Sequence, residues 1–269
     1  MSDGSRIAWT DATWNPVTGC SRVSPGCAHC YAERLSHRFG WTTRPWTARH
    51  ALANVQLHPD RLRQPLRWRH PRRVFVNSMS DLFHEQVPDA FLDQVFAGMA
   101  LAPQHVFQVL TKRPRRAAAW WMDPVRCARI TAAVAALAER PLAAPLPWPL
   151  PHVWLGVSAE DQRRAAERLP ILTALPAAVR FVSCEPLLGP VDLQPWLDRL
   201  DWVIAGGESG PGARPCDPDW VRALRDQCAA AGVPFFFKQW GGPRPDPEPP
   251  LLDGRAWAEI PVAWAAFKG

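Results

Sequence analysis

The amino-acid sequence predicts an α/β fold arranged as a partial or full (β/α) barrel, and three observations carry that expectation. The chain has 269 residues, 47% of them hydrophobic, enough to bury one large core. Short continuous apolar runs recur along it, a pattern that suits strands buried on both faces of a parallel sheet. Helical stretches lie between these runs, and repeated strand–helix alternation implies right-handed crossovers.

Taken in order, the first main run is Arg73–Asn77 (RVFVN), followed by a helix over Asp89–Ala102 with Asp89 as its N-cap. His105–Leu110 (HVFQVL) then leads to a helix over Pro124–Glu139, and His152–Val157 (HVWLGV) to one over Glu160–Leu175. Val179–Ser183 (VRFVS) and Asp201–Ala205 (DWVIA) come next. A helix over Pro218–Ala231, capped by Asp217 and stopped by Gly232, precedes the last run, Pro234–Phe237 (PFFF). Pro141–Pro151 and Pro243–Pro250 carry too many prolines for a helix and are expected as surface loops. Neither loop separates regions of contrasting composition. Residues 1–269 therefore read as one domain, with its core at about 9–242 and its loops at 141–151 and 243–250.

The composition is too apolar for disorder, and no window approaches 18 consecutive apolar residues, so no transmembrane span or membrane partner is expected. The N-terminus lacks an apolar signal core, which makes the cytoplasm the expected location. The net charge is +6, but of 31 basic residues only Lys112, Lys238 and Lys268 are lysine. With 30 prolines, this is the bias of a GC-rich genome, so the charge alone favours an anionic partner only mildly. The residues that escape the bias are more informative: three lysines, a single tyrosine (Tyr31) and seven cysteines.

In parallel α/β architectures ligands gather at the carboxyl ends of the strands. Here every such end is polar, charged or glycine-rich: Asn77-Ser78-Met79-Ser80-Asp81, Thr111-Lys112-Arg113, Ser158-Ala159-Glu160, Cys184-Glu185, Gly206-Gly207-Glu208 and Lys238-Gln239-Trp240. Each alone reads equally as a cap or a solvated turn. Together they suggest a built site.

Three of the seven cysteines, Cys20, Cys27 and Cys30, fall between a short strand and a helical run, Ala32–Arg38. An odd cysteine count in a chain without a signal argues against a disulfide framework. The spacing C-x6-C-x2-C, turned by Pro25-Gly26, brings thiolates together for a soft metal. Three outcomes remain open: buried unliganded thiols, structural zinc completed by His29 or His37, or an iron–sulfur cluster on three thiolates with one open iron.

The segments WTDATWNPVTGCSRVSPGCAHCYAERL, FVNSMSDLFH, VLTKRP, WLGVSAE, SCEPLLGP, AGGESGPGARP and PFFFKQWGG together resemble the radical-SAM superfamily. More narrowly, they resemble the phage gene-product thirty-seven/sixty-eight family of three-cysteine proteins. The resemblance runs from Trp9 to Gly242 and implies a partial (β/α) barrel of radical-SAM type with mostly parallel strands. It implies a 4Fe-4S cluster on Cys20, Cys27 and Cys30, with S-adenosylmethionine as the second cofactor and a 5′-deoxyadenosyl radical as the reactive species. A reductant protein such as a flavodoxin or ferredoxin would supply the electron.

The chain departs from the superfamily pattern in three places. Six residues rather than three separate the first two cysteines, and the usual aromatic before the last cysteine is His29, with Tyr31 just after it. In place of an early Gly-Gly-Glu for the methionine ammonium stand Asn77, Ser78, Ser80 and Asp81. Ser158 and Glu160 occupy the ribose-contacting position. Lys112, Glu185 and Lys238 are then catalytic candidates, and Arg113, Glu208, Gln239 and Trp240 face the substrate.

Cations beside an aromatic suit DNA or a nucleotide, so the favoured function is a radical-SAM enzyme that modifies or repairs a nucleic-acid base or nucleotide. Two alternatives stay in view: a radical-SAM enzyme acting on a small metabolite or peptide, and a non-catalytic zinc-stabilised nucleic-acid-binding protein.

Overall fold

The computed structural model describes residue 5 and residues 7–139, 145–244 and 249–267. Parts of both proline-rich loops, residues 140–144 and 245–248, lie outside the described residues, as does Lys268.

The chain opens with β1 (Ala12–Trp14) and β2 (Val17–Thr18). The cysteine loop follows, then α1 (Tyr31–Arg38), α2 (Ala51–Asn54) and β3 (Gln56–Leu57), which pairs antiparallel with β2. The repeating part consists of β4 (Arg73–Val76), α3 (Asp89–Ala100), β5 (Val106–Thr111), α4 (Pro114–Trp121) and α5 (Arg126–Ala138). It continues with β6 (Val153–Ser158), α6 (Gln162–Ala174), β7 (Val179–Cys184), β8 (Trp202–Ala205), α7 (Pro218–Ala231) and β9 (Phe235–Phe237). A small hairpin, β10 (Leu251–Leu252) and β11 (Arg255–Ala256), follows.

Seven strands form one parallel sheet in the order β1-β4-β5-β6-β7-β8-β9, so each pairs with the next main strand in sequence. The sheet is curled into a half-barrel flanked by helices, and a single indole displays the curl. The Trp9 ring lies 4.7 Å from Phe75 on β4 and 6.3 Å from Trp202 on β8. In a flat sheet those two strands would be roughly 19 Å apart, four strand spacings.

Strand alternation divides the apolar residues between the two faces. The concave face carries Phe75, Trp154, Phe181, Trp202 and Phe236, packed with Trp9. The convex face joins the helices in the larger core, where Trp14, Val76, Phe107, Val109, Leu155 and Val203 are all buried. Gly156 lies on the concave face because Phe181 crosses it. A Cβ there would stand 2.6 Å from the ring.

The expected strands are present to within a residue or two. Asp217 caps α7 as expected, accepting from the Asp219 backbone N–H at 2.9 Å, and Gly232 ends it at φ 68°. Asp89 is a correction: the cap position of α3 is Pro88, and the Asp89 carboxylate instead accepts from Arg116 and, at 3.2 Å, from Arg126. The helix expected over Glu160–Leu175 starts late, since Asp161 caps α6 by accepting from the Arg164 N–H at 2.8 Å. That leaves Glu160 in front of the helix, at the sheet rim. Among the described residues no helix is long and apolar enough to cross a membrane.

Candidate functional site

Above the aromatic filling, at the carboxyl ends of the strands, lies a cavity of about 200 Å³. All three clustered cysteines line it, together with Tyr31, residues after β4 and β5, and residues of β6, β7 and the β9 end. The chain reaches the cavity through Gly19, at φ 80°, where a Cβ would stand 1.9 Å from the Asn54 carbonyl oxygen. Only glycine fits so close to a neighbouring backbone. Pro25-Gly26 then forms the expected tight turn, with the Cys27 N–H on the Ser24 carbonyl at 2.9 Å. Cys30 ends the loop as the cap residue of α1. Ala32, Trp46 and Met79 form a small apolar pad against Cys20 and Cys30.

Burial pushes the Cys20 thiol up to about 12 against the opposing charge of Arg113, whose Nη1 lies 3.5 Å from the sulfur. Burial also raises Cys30, opposed by backbone N–H groups of the first turn of α1. Both thiols therefore stay protonated until something that binds thiolate compensates the burial, and each has a positive group ready for the anion. Among the described residues no three His, Cys, Asp or Glu groups could hold one metal ion. Three thiols lie on the wall of one cavity, and no fourth cysteine lines it.

The β4 and β5 ends have spent most of their polar atoms on scaffolding. Asp81, expected to receive a cofactor ammonium, is saturated. Its Oδ1 accepts from Thr111 (2.8 Å) and the Phe83 N–H (3.0 Å), and its Oδ2 from the Lys112 N–H (2.9 Å) and Arg113 (3.3 Å). Arg113, expected to face the substrate, is buried and also donates to Glu85 (2.9 Å) and to Ser21 (2.9 and 3.1 Å). It braces the cysteine loop.

Ser80 Oγ donates to the Val17 carbonyl at 3.0 Å, and Ser78 exchanges bonds with Asn15 at 3.2 and 3.3 Å. Tyr31 donates to the Ser78 carbonyl at 2.6 Å. Asn77, at φ 61°, accepts from the Val17 N–H at 3.3 Å and keeps a buried, unpartnered amide nitrogen at the cavity wall.

Ser158 lines the cavity, whereas Glu160 does not. Fully buried, Glu160 accepts from Arg168 at 2.9 Å and from the Gly26 N–H at 3.2 Å, so it clamps the cysteine loop to β6 instead of facing a ribose. Burial pushes its carboxyl up, but Lys112 and Arg168 outweigh this and hold it below the usual range.

On the far side, Lys238 meets Glu185 at 2.8 Å inside the cavity. The other Glu185 oxygen accepts from Ser183 (3.0 Å) and Trp9 (3.3 Å). The remaining expected contacts lie off the cavity. Gln239 donates to the Gly207 carbonyl at 2.9 Å, and Trp240 packs on Phe237 at 4.6 Å, because the strand ends and its alternation stops there. Glu208 is held by Arg214 at 2.5 Å and meets His29 at 2.8 Å, which takes His29 away from the cavity too. Burial raises the Glu208 carboxyl, but the bonds from Arg214 and His29 outweigh it and hold it at about 2.

Sequence reasoning missed Trp9, Trp46, Phe75, Leu110 and Ser183, all on the cavity wall, and placed Thr111 at its strand end without a role. A period-two count from the aromatic residues would have found two of them. Phe181, Ser183 and Glu185 share one face, as do Gln108, Leu110 and Lys112.

A family model described as a protein of unknown function, DUF5131, matches residues 4–261. No curated protein and no solved structure matches the chain.

Proposed function

The chain belongs to the DUF5131 family, described as of unknown function, over nearly its whole length, and for its cavity we propose the work of a radical S-adenosylmethionine enzyme acting on a nucleotide or nucleic-acid base. The observation that carries this reading is the convergence of Cys20, Cys27 and Cys30 on one cavity at the carboxyl ends of a curled parallel sheet. Cys20, Cys27 and Cys30 would hold a 4Fe-4S cluster. Such a cluster, with S-adenosylmethionine and an electron from a flavodoxin- or ferredoxin-like partner, would supply the radical chemistry for hydrogen-atom abstraction from the substrate.

The protein's own residues set the conditions for that chemistry. Arg113 presents its guanidinium to the Cys20 sulfur and favours the thiolate. Glu160 fixes the loop through the Gly26 N–H, so the three sulfurs share one rigid frame with β6. Asn77 offers its unpartnered amide N–H as a donor to an acceptor in the cavity. Trp9, Phe75 and Leu110 floor the cavity and keep bulk water from below. Glu185 holds Lys238 as an ion pair, which leaves Lys112 as the cavity lysine without one among the described residues.

Anaerobic purification tests the reading. Brown protein carrying about four irons and sulfides, bleached by dithionite, is the expected result. With dithionite and S-adenosylmethionine it should form 5′-deoxyadenosine, and Cys27→Ala should form none. Colourless protein with one zinc would overturn the reading in favour of a zinc-stabilised binding protein.

A further inference from the structure

A second cavity of about 350 Å³ lies beside the first, between the α4 start and α6, and Lys112 and Arg113 line both. Its charge is uneven once the ion pairs are assigned. Arg113 is committed to Asp81 and Glu85, Arg168 to Glu160, and Arg116 to Asp89. Glu167, the remaining carboxylate of the wall, is engaged with Arg163 at 2.9 Å. Lys112 and Arg115 are left, and among the described residues neither has an ion-pair partner. The first turn of α4 carries no acidic residue that would compensate them.

We infer that this cleft takes a phosphate group of the substrate, with Lys112 as the cation shared by the phosphate and the group in the neighbouring cavity. Lys112 and the exposed Arg115 keep their donors free of a direct carboxylate partner on this concave wall, an arrangement that suits a phosphate mono- or diester. The volume accommodates a phosphate with its sugar. A base in the first cavity and its phosphate in the second would be joined across Lys112. A lysine suits this point better than the arginine that the chain otherwise favours, since one compact ammonium can serve two neighbouring acceptors. The identity of the substrate rests on the enzyme reading above, whereas phosphate capture by the cleft does not.

The test is titration of the purified protein, followed by tryptophan fluorescence at low salt. The probes are inorganic pyrophosphate, an equimolar mixture of the four deoxynucleoside 5′-monophosphates, the four parent nucleosides, and a mixed-sequence single-stranded oligodeoxynucleotide. The phosphate-bearing probes should bind and the nucleosides should bind much more weakly. Lys112→Gln and Arg115→Gln should each weaken phosphate binding about tenfold and lower the salt slope on the oligonucleotide by about one. Lys112→Arg should retain binding. Arg199→Gln, an exposed arginine elsewhere, should change nothing.

Tighter binding of the monophosphates assigns the phosphate to a free nucleotide, and tighter binding of the oligonucleotide assigns it to a nucleic-acid backbone. No phosphate-dependent binding, or equal loss in Arg199→Gln, overturns the proposal. If it falls while iron, sulfide and 5′-deoxyadenosine are all found, the enzyme reading stands and only the phosphate site is lost.

Discussion

The strand ends at β5 and β9 invite comparison, because each delivers a lysine to the same cavity and the two are built differently. At β5 a buried network centred on Asp81 and Arg113 consumes almost every polar atom, the Lys112 backbone N–H included, yet the Lys112 ammonium stays outside it. At β9 the lysine itself is consumed, since Lys238 closes on Glu185 at 2.8 Å. One rim invests its charge in holding the cysteine loop and leaves a cation exposed to a ligand. The other neutralises its cation and contributes shape. Residue type alone does not distinguish a binding lysine from a structural one, and the position of the nearest carboxylate does.

The comparison can be broken most severely at Arg113. Arg113→Met should cost about 3–5 kcal/mol, because it strands the Asp81 carboxylate in the interior and frees the Cys20–Ser21 backbone. Urea unfolding measures the loss, and a cost below about 1 kcal/mol would show that the network is not the brace described. At the other rim, Lys238→Gln should cost about 1–2 kcal/mol, since Glu185 keeps its bonds from Ser183 and Trp9 when the lysine leaves. Lys112→Gln should cost less, about 0.5–1 kcal/mol, because Lys112 closes no direct ion pair but its charge helps keep the buried Glu160 ionised.

The same two rims differ in their response to pH. His84, bonded to Ser21 at 2.9 Å, is held below its ordinary value of 6.5, first by burial and then by Arg113. The folded state therefore resists protonating it. Its stabilising contribution is complete above about pH 6.5 and is lost progressively as the pH falls below that value. Glu208, held at about 2 against an ordinary 4.5, keeps its full contribution down to about pH 4.5 and loses it as the pH falls toward 2. Hydrogen exchange followed from pH 7 to 4 should thus loosen the β5 rim and cysteine loop before the Glu208–Arg214 contact. The reverse order would contradict the assignment.

Much of this was legible in the sequence. Apolar runs such as HVFQVL and HVWLGV gave the strands because a strand buried on both faces has little choice of composition. Ser78, Lys112, Glu185 and Lys238 reach the cavity from strand ends read in the sequence, and Cys20, Cys27, Cys30 and Tyr31 reach it from the loop and helix start beside them. What remained hidden was consumption. Nothing local to Asp81, Arg113, Glu160 or Glu208 reveals that each is satisfied by residues tens of positions away or by a neighbouring loop. The two-residue strand β3, which pairs with the short strand expected before the cysteines, escaped for a related reason, since so short a pairing carries no period of its own. α4 escaped because Pro114 stands in a run of arginines that reads as a polar rim.

The aromatic filling of the half-barrel has one more consequence. Trp9, Trp154, Trp202 and Phe236 close the bottom of the well, so the cavity above them has no way through the base of the half-barrel. Traffic through such a vessel has an order: what must lie deepest arrives first, and it departs only after whatever came in behind it has gone.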